Sequence, residues 1–149
     1  MTVWKPQQSI TVKVLGLVWR GRDLLASEVF DSTGRVTGVR PLGGGIEFGE
    51  TREDAIRREF QEELGCGLTT IGPWHCVESI FVHEGNVGHQ IIFLANIVLD
   101  DPGIYMRDII EYLENDGTVC IAKWFCPTSL PQGVELFPTA LMPLIQNGI

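Results

Sequence analysis

The segment that most constrains this chain runs from Gly44 to Cys66, GGIEFGETREDAIRREFQEELGC. Thr51 with Asp54 three residues on opens a helix, and Gly65 closes it, so the spacing predicts a helix over Thr51 to Leu64. With Ala55 at the origin of a helical wheel, Glu59, Glu62 and Glu63 fall within an arc of about 100°. Ile56, Phe60 and Leu64 form the apolar stripe beside that arc, while Asp54, Arg57 and Gln61 point away. A helix of this pattern must bury the stripe against another layer of structure, which brings three carboxylates to the border of a core.

That border is electrostatically expensive. Glu59 with Glu62 and Glu59 with Glu63 are like-charge pairs at i+3 and i+4, each destabilising an isolated helix by a few tenths of a kcal/mol. Close to a low-dielectric core the repulsion grows, and one carboxyl takes up a proton unless a cation is present. Hard oxygen ligands on a rigid helix suit Mg²⁺, with Mn²⁺ as a substitute. A solvated acidic face is the alternative reading. Against it stand the contiguity with the apolar stripe and the position of Arg58 at the cluster's edge, where it can pair with Glu62. The run Gly43, Gly44, Gly45 lies one short loop upstream and allows close approach of backbone to a bound group, either a carbonyl to a metal or amide groups to a phosphate.

The rest of the chain reads as one domain over residues 1–149, without repeats or linkers. Strands are expected over Ile10 to Arg20 with a bulge, Leu24 to Phe30, Val36 to Arg40, Trp74 to His83, His89 to Leu99 and Val119 to Cys126. Pro41 to Gly45 is expected to break the pattern, and Glu84 to Gly88 to turn a hairpin. Ile104 to Asp116 reads as either a short helix or an irregular loop, and Thr139 to Asn147 as a final helix containing Pro143. Strands in pairs with helices between them give a mixed sheet flanked by helices.

Gly44, five residues, Glu50, seven residues, and then Arg58-Glu59-Phe60-Gln61-Glu62-Glu63-Leu64-Gly65-Cys66 resembles the Nudix box, G-x5-E-x7-R-E-U-x-E-E-x-G-U, where U is a bulky aliphatic residue. The box spans 44–66, and Phe60 and Cys66 are its two departures, both apolar. The resemblance implies an α/β fold of α+β character: a Nudix-type α/β/α sandwich with a mixed β-sheet between helices. It implies hydrolysis of a nucleoside diphosphate linked to a further group. It also implies Glu59, Glu62 and Glu63 as Mg²⁺ ligands, assisted by a carbonyl of Gly43 or Gly44, with Arg58 orienting the glutamates and Glu50 either partnering Arg58 or serving as an outer-shell metal ligand through water. The general base is either Glu59 or an acid on a later loop, where Glu111, Glu114 and Asp116 stand. Arg40 and Gly44 are candidates for phosphate contact. His89, like His83, flanks a hairpin that often borders the family's substrate cleft.

Composition fits this chemistry. Nineteen Asp+Glu against 11 Lys+Arg give a net charge of −8, which opposes binding of nucleic-acid backbone or anionic lipid and requires cations for a phosphate substrate. The longest apolar stretch, Ile91 to Leu99, is far short of the roughly 20 residues of a membrane span. The amino terminus lacks a leader pattern, and the four cysteines show no Cys-x-x-Cys spacing, so a reduced, cytoplasmic protein is expected, monomeric or homodimeric. The leading expectation is a Mg²⁺-dependent pyrophosphohydrolase of a nucleoside triphosphate or oxidised nucleotide, giving a monophosphate. ADP-ribose or a nucleotide sugar is the alternative substrate. A non-catalytic nucleotide-binding module of the same fold is the alternative class, although such modules usually lose box glutamates that this chain keeps.

Overall fold

The computed structural model describes residues 3–149; the first two residues of the stretch read above for a leader lie outside the described residues. The first strand, β1 (Ile10–Leu17), is followed by the two-residue β2 (Trp19–Arg20), β3 (Asp23–Phe30) and β4 (Val36–Gly45). Helix α1 (Arg52–Leu64) leads to β5 (Leu68–Ile71), β6 (His75–His83) and β7 (Asn86–Leu99). The chain ends with α2 (Pro102–Tyr105), β8 (Ile109–Leu113), β9 (Val119–Phe125), β10 (Glu135–Leu136) and α3 (Leu141–Gln146). The strands join in one curled sheet in the order β5-β7-β1-β4-β3-β9-β8, with β6 beside β7, β2 beside β3 and β10 beside β4. It is mixed: β1 runs parallel to β7 and antiparallel to β4.

Alternation along the strands divides the core between two faces. Val14, Leu25, Leu42, Ile110, Tyr112 and Ala122 pack against Ala55, Ile56 and Phe60 of α1. Leu15, Leu17, Leu24, Ala26, Val39, Ile92 and Leu94 pack on the other face with Leu141 of α3. The expected helix–sheet–helix sandwich is therefore the observed architecture. Helix α1 has the expected ends: Thr51 Oγ1 accepts from the Asp54 amide at 3.1 Å, and Gly65 closes the helix at φ 65°. Pro143 lies in the first turn of α3, where its missing N–H leaves no intrahelical bond unmade.

Four local expectations need correction. Pro41 to Gly45 does not end a strand; β4 runs through it, because β1 pairs along it from Lys13–Gly45 to Gly16–Leu42. Close packing demands two of the three glycines: a Cβ on Gly43 would collide with the Val14 carbonyl, and one on Gly44 with the Glu59 carboxylate, whereas one on Gly45 would meet open space. Residues 104–116 begin with the end of the short helix α2 but then form strand β8, with Ile110 and Tyr112 buried and Ile109, Glu111 and Leu113 outward, so neither a helix nor a loop describes the stretch as a whole. The β6–β7 hairpin turns more tightly than expected, pairing out to His83 opposite Asn86 across Glu84-Gly85, where Glu84 takes φ 50°. Strands β5 and β10 were not expected; each is short and exists by pairing with a longer neighbour, β7 and β4 respectively.

Phe60 is the keystone of the α1 face: it is fully buried, and its ring fills the space a Cβ on Gly16 would need. Phe60→Ala is expected to lower the unfolding free energy by about 3–5 kcal/mol. Chemical denaturation measures it, and a loss below about 1 kcal/mol would contradict this packing role.

Candidate active site

The loop between β4 and α1 and the inner edge of α1 converge on the Arg58 guanidinium. Its Nε donates to Glu50 Oε2 at 2.6 Å and its Nη2 to Glu50 Oε1 at 2.9 Å, a two-pronged pairing. Nη2 also donates to the Gly45 carbonyl at 3.0 Å. Nη1 donates to Glu59 Oε1 at 3.0 Å and to Glu62 Oε2 at 3.4 Å, and lies 3.9 Å from Glu47. Glu50 in turn accepts from the Glu47 amide at 3.0 Å, which closes the loop on itself. Arg58 and this amide hold the Glu50 carboxyl down to about 2, and the same contacts hold the proton on Arg58.

Glu59 and Glu63 occupy the inner side of this cluster. Glu59 is 4% exposed and lies against Gly44, which has no side chain to obstruct it. Burial raises its carboxyl above the ordinary range, opposed by Arg58. Glu63 is out of Arg58's hydrogen-bonding set, and its Oε2 is buried with no partner. Burial, then the charges of Glu114 and Glu59, push the Glu63 carboxyl up to about 8. Glu62 is the outermost of the three, its side chain 43% exposed. Among the described residues no three acidic, His or Cys groups are gathered around one point at ligating range.

The remaining sequence candidates divide. Gly43 and Gly44 lie in β4 opposite Leu15 and Val14. Arg40 is half-buried on β4 opposite Ser27, and its charge acts on Glu63. Glu114 follows β8 and its charge reaches both Glu59 and Glu63, whereas Glu111 sits within β8 on its exposed face, away from Tyr112 and α1. Asp116 is used locally, accepting from the Thr118 amide at 2.9 Å. His89 lies 3.4 Å from Glu78 on the neighbouring strand and lines a separate cavity with Lys13. Two residues escaped the sequence reading. Tyr112, whose hydroxyl is 2.6 Å from Ser27 Oγ, backs the inner carboxylates, and burial raises its phenol above its ordinary range. Lys13 feels Glu59 and Glu114; the signal for it was a lone cation in the otherwise uncharged strand ITVKVLGL.

Comparison with known proteins points to one family. The NUDIX domain matches residues 10–143. An uncharacterized Nudix hydrolase, all7351, of Nostoc sp. is 29% identical over 115 residues, covering 70% of this chain and 66% of that protein. The nucleoside triphosphatase NudI of Enterobacter sp. is 56% identical over 61 residues, covering 39% of this chain and 43% of that protein. The chain thus spans less than two-thirds of the length of these curated relatives. Among solved structures, a NUDIX hydrolase from Nitrosomonas europaea superposes with a TM-score of 0.59 at 20% identity, covering 96% of this chain and 88% of that one.

The raised Glu63 carboxyl has a testable consequence in chelator. A folded-state value near 8 against an ordinary 4.5 means that Glu63 costs nothing below about pH 4.5 and progressively destabilises the fold as pH rises through about 8. Glu63→Gln removes the titration. The melting temperature of the variant is expected to exceed that of wild type by a margin that widens from pH 5 to pH 8 and then levels. A margin independent of pH would contradict the burial of an unpaired carboxyl.

Proposed function

This chain belongs to the NUDIX family, and from that premise we propose that it is a divalent-cation-dependent pyrophosphohydrolase acting as a single domain on a nucleoside triphosphate or oxidised nucleotide, with a nucleoside monophosphate as product. The observation that carries the reading is the inner pair of buried Glu59 and half-buried Glu63, with the orphaned Glu63 Oε2 beside the more exposed Glu62. Such a cluster is unstable by itself and matched to a ligand of positive charge. All its donors are carboxylate or carbonyl oxygens, which fits Mg²⁺ or Mn²⁺. Glu59, Glu62 and Glu63 would hold the cation with help from a carbonyl of Gly43 or Gly44. Bound there, it would neutralise the diphosphate oxygens and make a water easier to deprotonate.

The chain's own residues supply the rest. Arg58, fixed by Glu50, sets where Glu59 and Glu62 point. The attacking water forms a bond to phosphorus, the anhydride P–O bond breaks with its electron pair leaving on pyrophosphate, and the water's proton passes to a carboxylate, either Glu59 or Glu114. Arg40 offers a guanidinium on the same face as Glu63, suited to a non-bridging phosphate oxygen. The printed name of the NudI relatives, nucleoside triphosphatase, supports the choice of a triphosphate over a nucleotide sugar.

The test is product release, with and without Mg²⁺, from nucleoside triphosphates, oxidised nucleotides, ADP-ribose, nucleotide sugars and dinucleoside polyphosphates. A Mg²⁺-dependent rate on a triphosphate is expected. Silence on every substrate, with nucleotide binding indifferent to Mg²⁺, would favour a binding module instead. Glu62→Gln and Glu63→Gln should keep the fold and lose about 10²-fold or more in kcat, because each withdraws an oxygen donor where the transition state is charged. Wild-type rates in both would overturn the assignment. Glu114→Gln separates the two bases: a rate unchanged from wild type leaves the task to Glu59.

A further inference from the structure

The chain has three lysines, and they are not scattered evenly. Lys123 pairs with Glu28 at 3.3 Å. The other two, Lys5 and Lys13, line one cavity of about 310 Å³ beneath the N-terminal segment, and among the described residues no Asp or Glu lines it. In a protein with 19 acidic residues against 11 Lys+Arg, that separation is a structural fact needing a reason. Neither lysine forms an ion pair with the described residues. Ser9 and Thr11 bring hydroxyls to the same walls and Gln90 an amide, all able to donate hydrogen bonds. The segment carrying Lys5 is anchored: the Trp4 ring stacks on Phe81 at 6.2 Å and lies 5.6 Å from His83. Phe81 in turn fills the space left by Gly88 on the paired strand.

Lys13 links this cavity to the acidic cluster. It stands on β1 opposite Gly45, whose carbonyl accepts from Arg58. Burial and the nearby Arg40 hold its ammonium below the ordinary lysine value, against the pull of Glu59 and Glu114. A half-buried cation under this load is stabilised by an anion. We propose that the cavity lined by Lys5 and Lys13 is an anion subsite that holds the phosphates of the substrate lying beyond the bond that is cut. The inference rests on the pyrophosphohydrolase reading above and sharpens it: the substrate carries two charged phosphates past the scissile anhydride, as a nucleoside triphosphate does, where a nucleotide sugar has only one, esterified to its sugar. The two regions then divide the phosphate chain, with the carboxylates gathering a cation at the cleaved bond and the lysines meeting the remaining charge directly.

Inorganic tripolyphosphate in chelator is the probe, with sulfate at equal ionic strength as the control for unspecific anion binding. Wild type and Lys13→Arg are expected to bind tripolyphosphate in preference to sulfate. Lys5→Met/Lys13→Met should weaken that binding about tenfold or more, through loss of charge-assisted hydrogen bonds, with its melting curve confirming a folded protein. In steady-state kinetics the double variant should raise KM for a nucleoside triphosphate about tenfold more than KM for a nucleotide sugar. Tripolyphosphate binding untouched by the double substitution, or equal to that of sulfate, overturns the subsite. Turnover of triphosphates with an unmoved KM ratio overturns it while leaving the pyrophosphohydrolase reading standing. Lysine-dependent tripolyphosphate binding in a protein that turns over nothing upholds the anion site and defeats the hydrolase reading alone.

Discussion

One guanidinium organises the acidic end of this molecule. Arg58 connects the loop through Glu50, the end of β4 through the Gly45 carbonyl, and the helix through Glu59 and Glu62. Only a planar group with several fixed N–H directions can meet so many oxygens at once; a lysine in its place would offer one mobile point of charge. Without Arg58 the carboxylates of Glu50, Glu59 and Glu62 would face one another at the border of a core. The three-glycine end of β4 belongs to the same constraint. Glu59 can lie flat against the sheet only because Gly44 has no Cβ, so the helix stands close enough for Arg58 to reach back to the strand.

The sequence made the helix, its caps and its acidic arc legible because all three depend on local spacing. Thr51 and Gly65 act within one turn, and an arc of three glutamates beside Ile56, Phe60 and Leu64 follows from the helical period alone. Local spacing failed where pairing decides. Pro41 to Gly45 has the composition of a turn but is held extended by β1, and Ile109 to Leu113 is a strand because β9 runs beside it. That second miss had a cost at the site. Only the period of two within β8 shows that Glu111 faces outward, so Glu111 and Glu114 looked equivalent until the strand was in place. Tyr112 was hidden for the same reason, as an inward position on a strand not recognised as one.

The sheet also sorts charge. Successive residues of a strand point to opposite faces, so Val14 looks toward α1 while Lys13, two residues before the buried Leu15, belongs to the other side. β4 repeats the division, with Gly44 beneath Glu59 and Gly45 paired to Lys13. Glu59 therefore lies on the α1 face of the β1–β4 pair, while Lys13 springs from the opposite face beside the end of β4. A chain with net charge −8 would repel a polyphosphate from most directions; the cavity lined by Lys5 and Lys13 is a local exception to that field.

The bonds at Arg58 are graded, and the grading bears on how the site can serve two masters. Glu50 holds the guanidinium by two bonds, at 2.6 and 2.9 Å, while Glu59 and Glu62 share the single Nη1 at 3.0 and 3.4 Å. Hydrogen bonds weaken as they lengthen, and a bidentate pair resists rotation in a way that a shared nitrogen does not. Glu59 and Glu62 can thus turn their oxygens toward another cation without unseating Arg58, which stays locked to Glu50 and the Gly45 carbonyl. Glu63 needs no release at all, since its inner oxygen is already unpartnered. The cluster is held firmly where it joins the scaffold and loosely where chemistry would require it to move, and that asymmetry comes from the unequal geometry of one arginine's contacts.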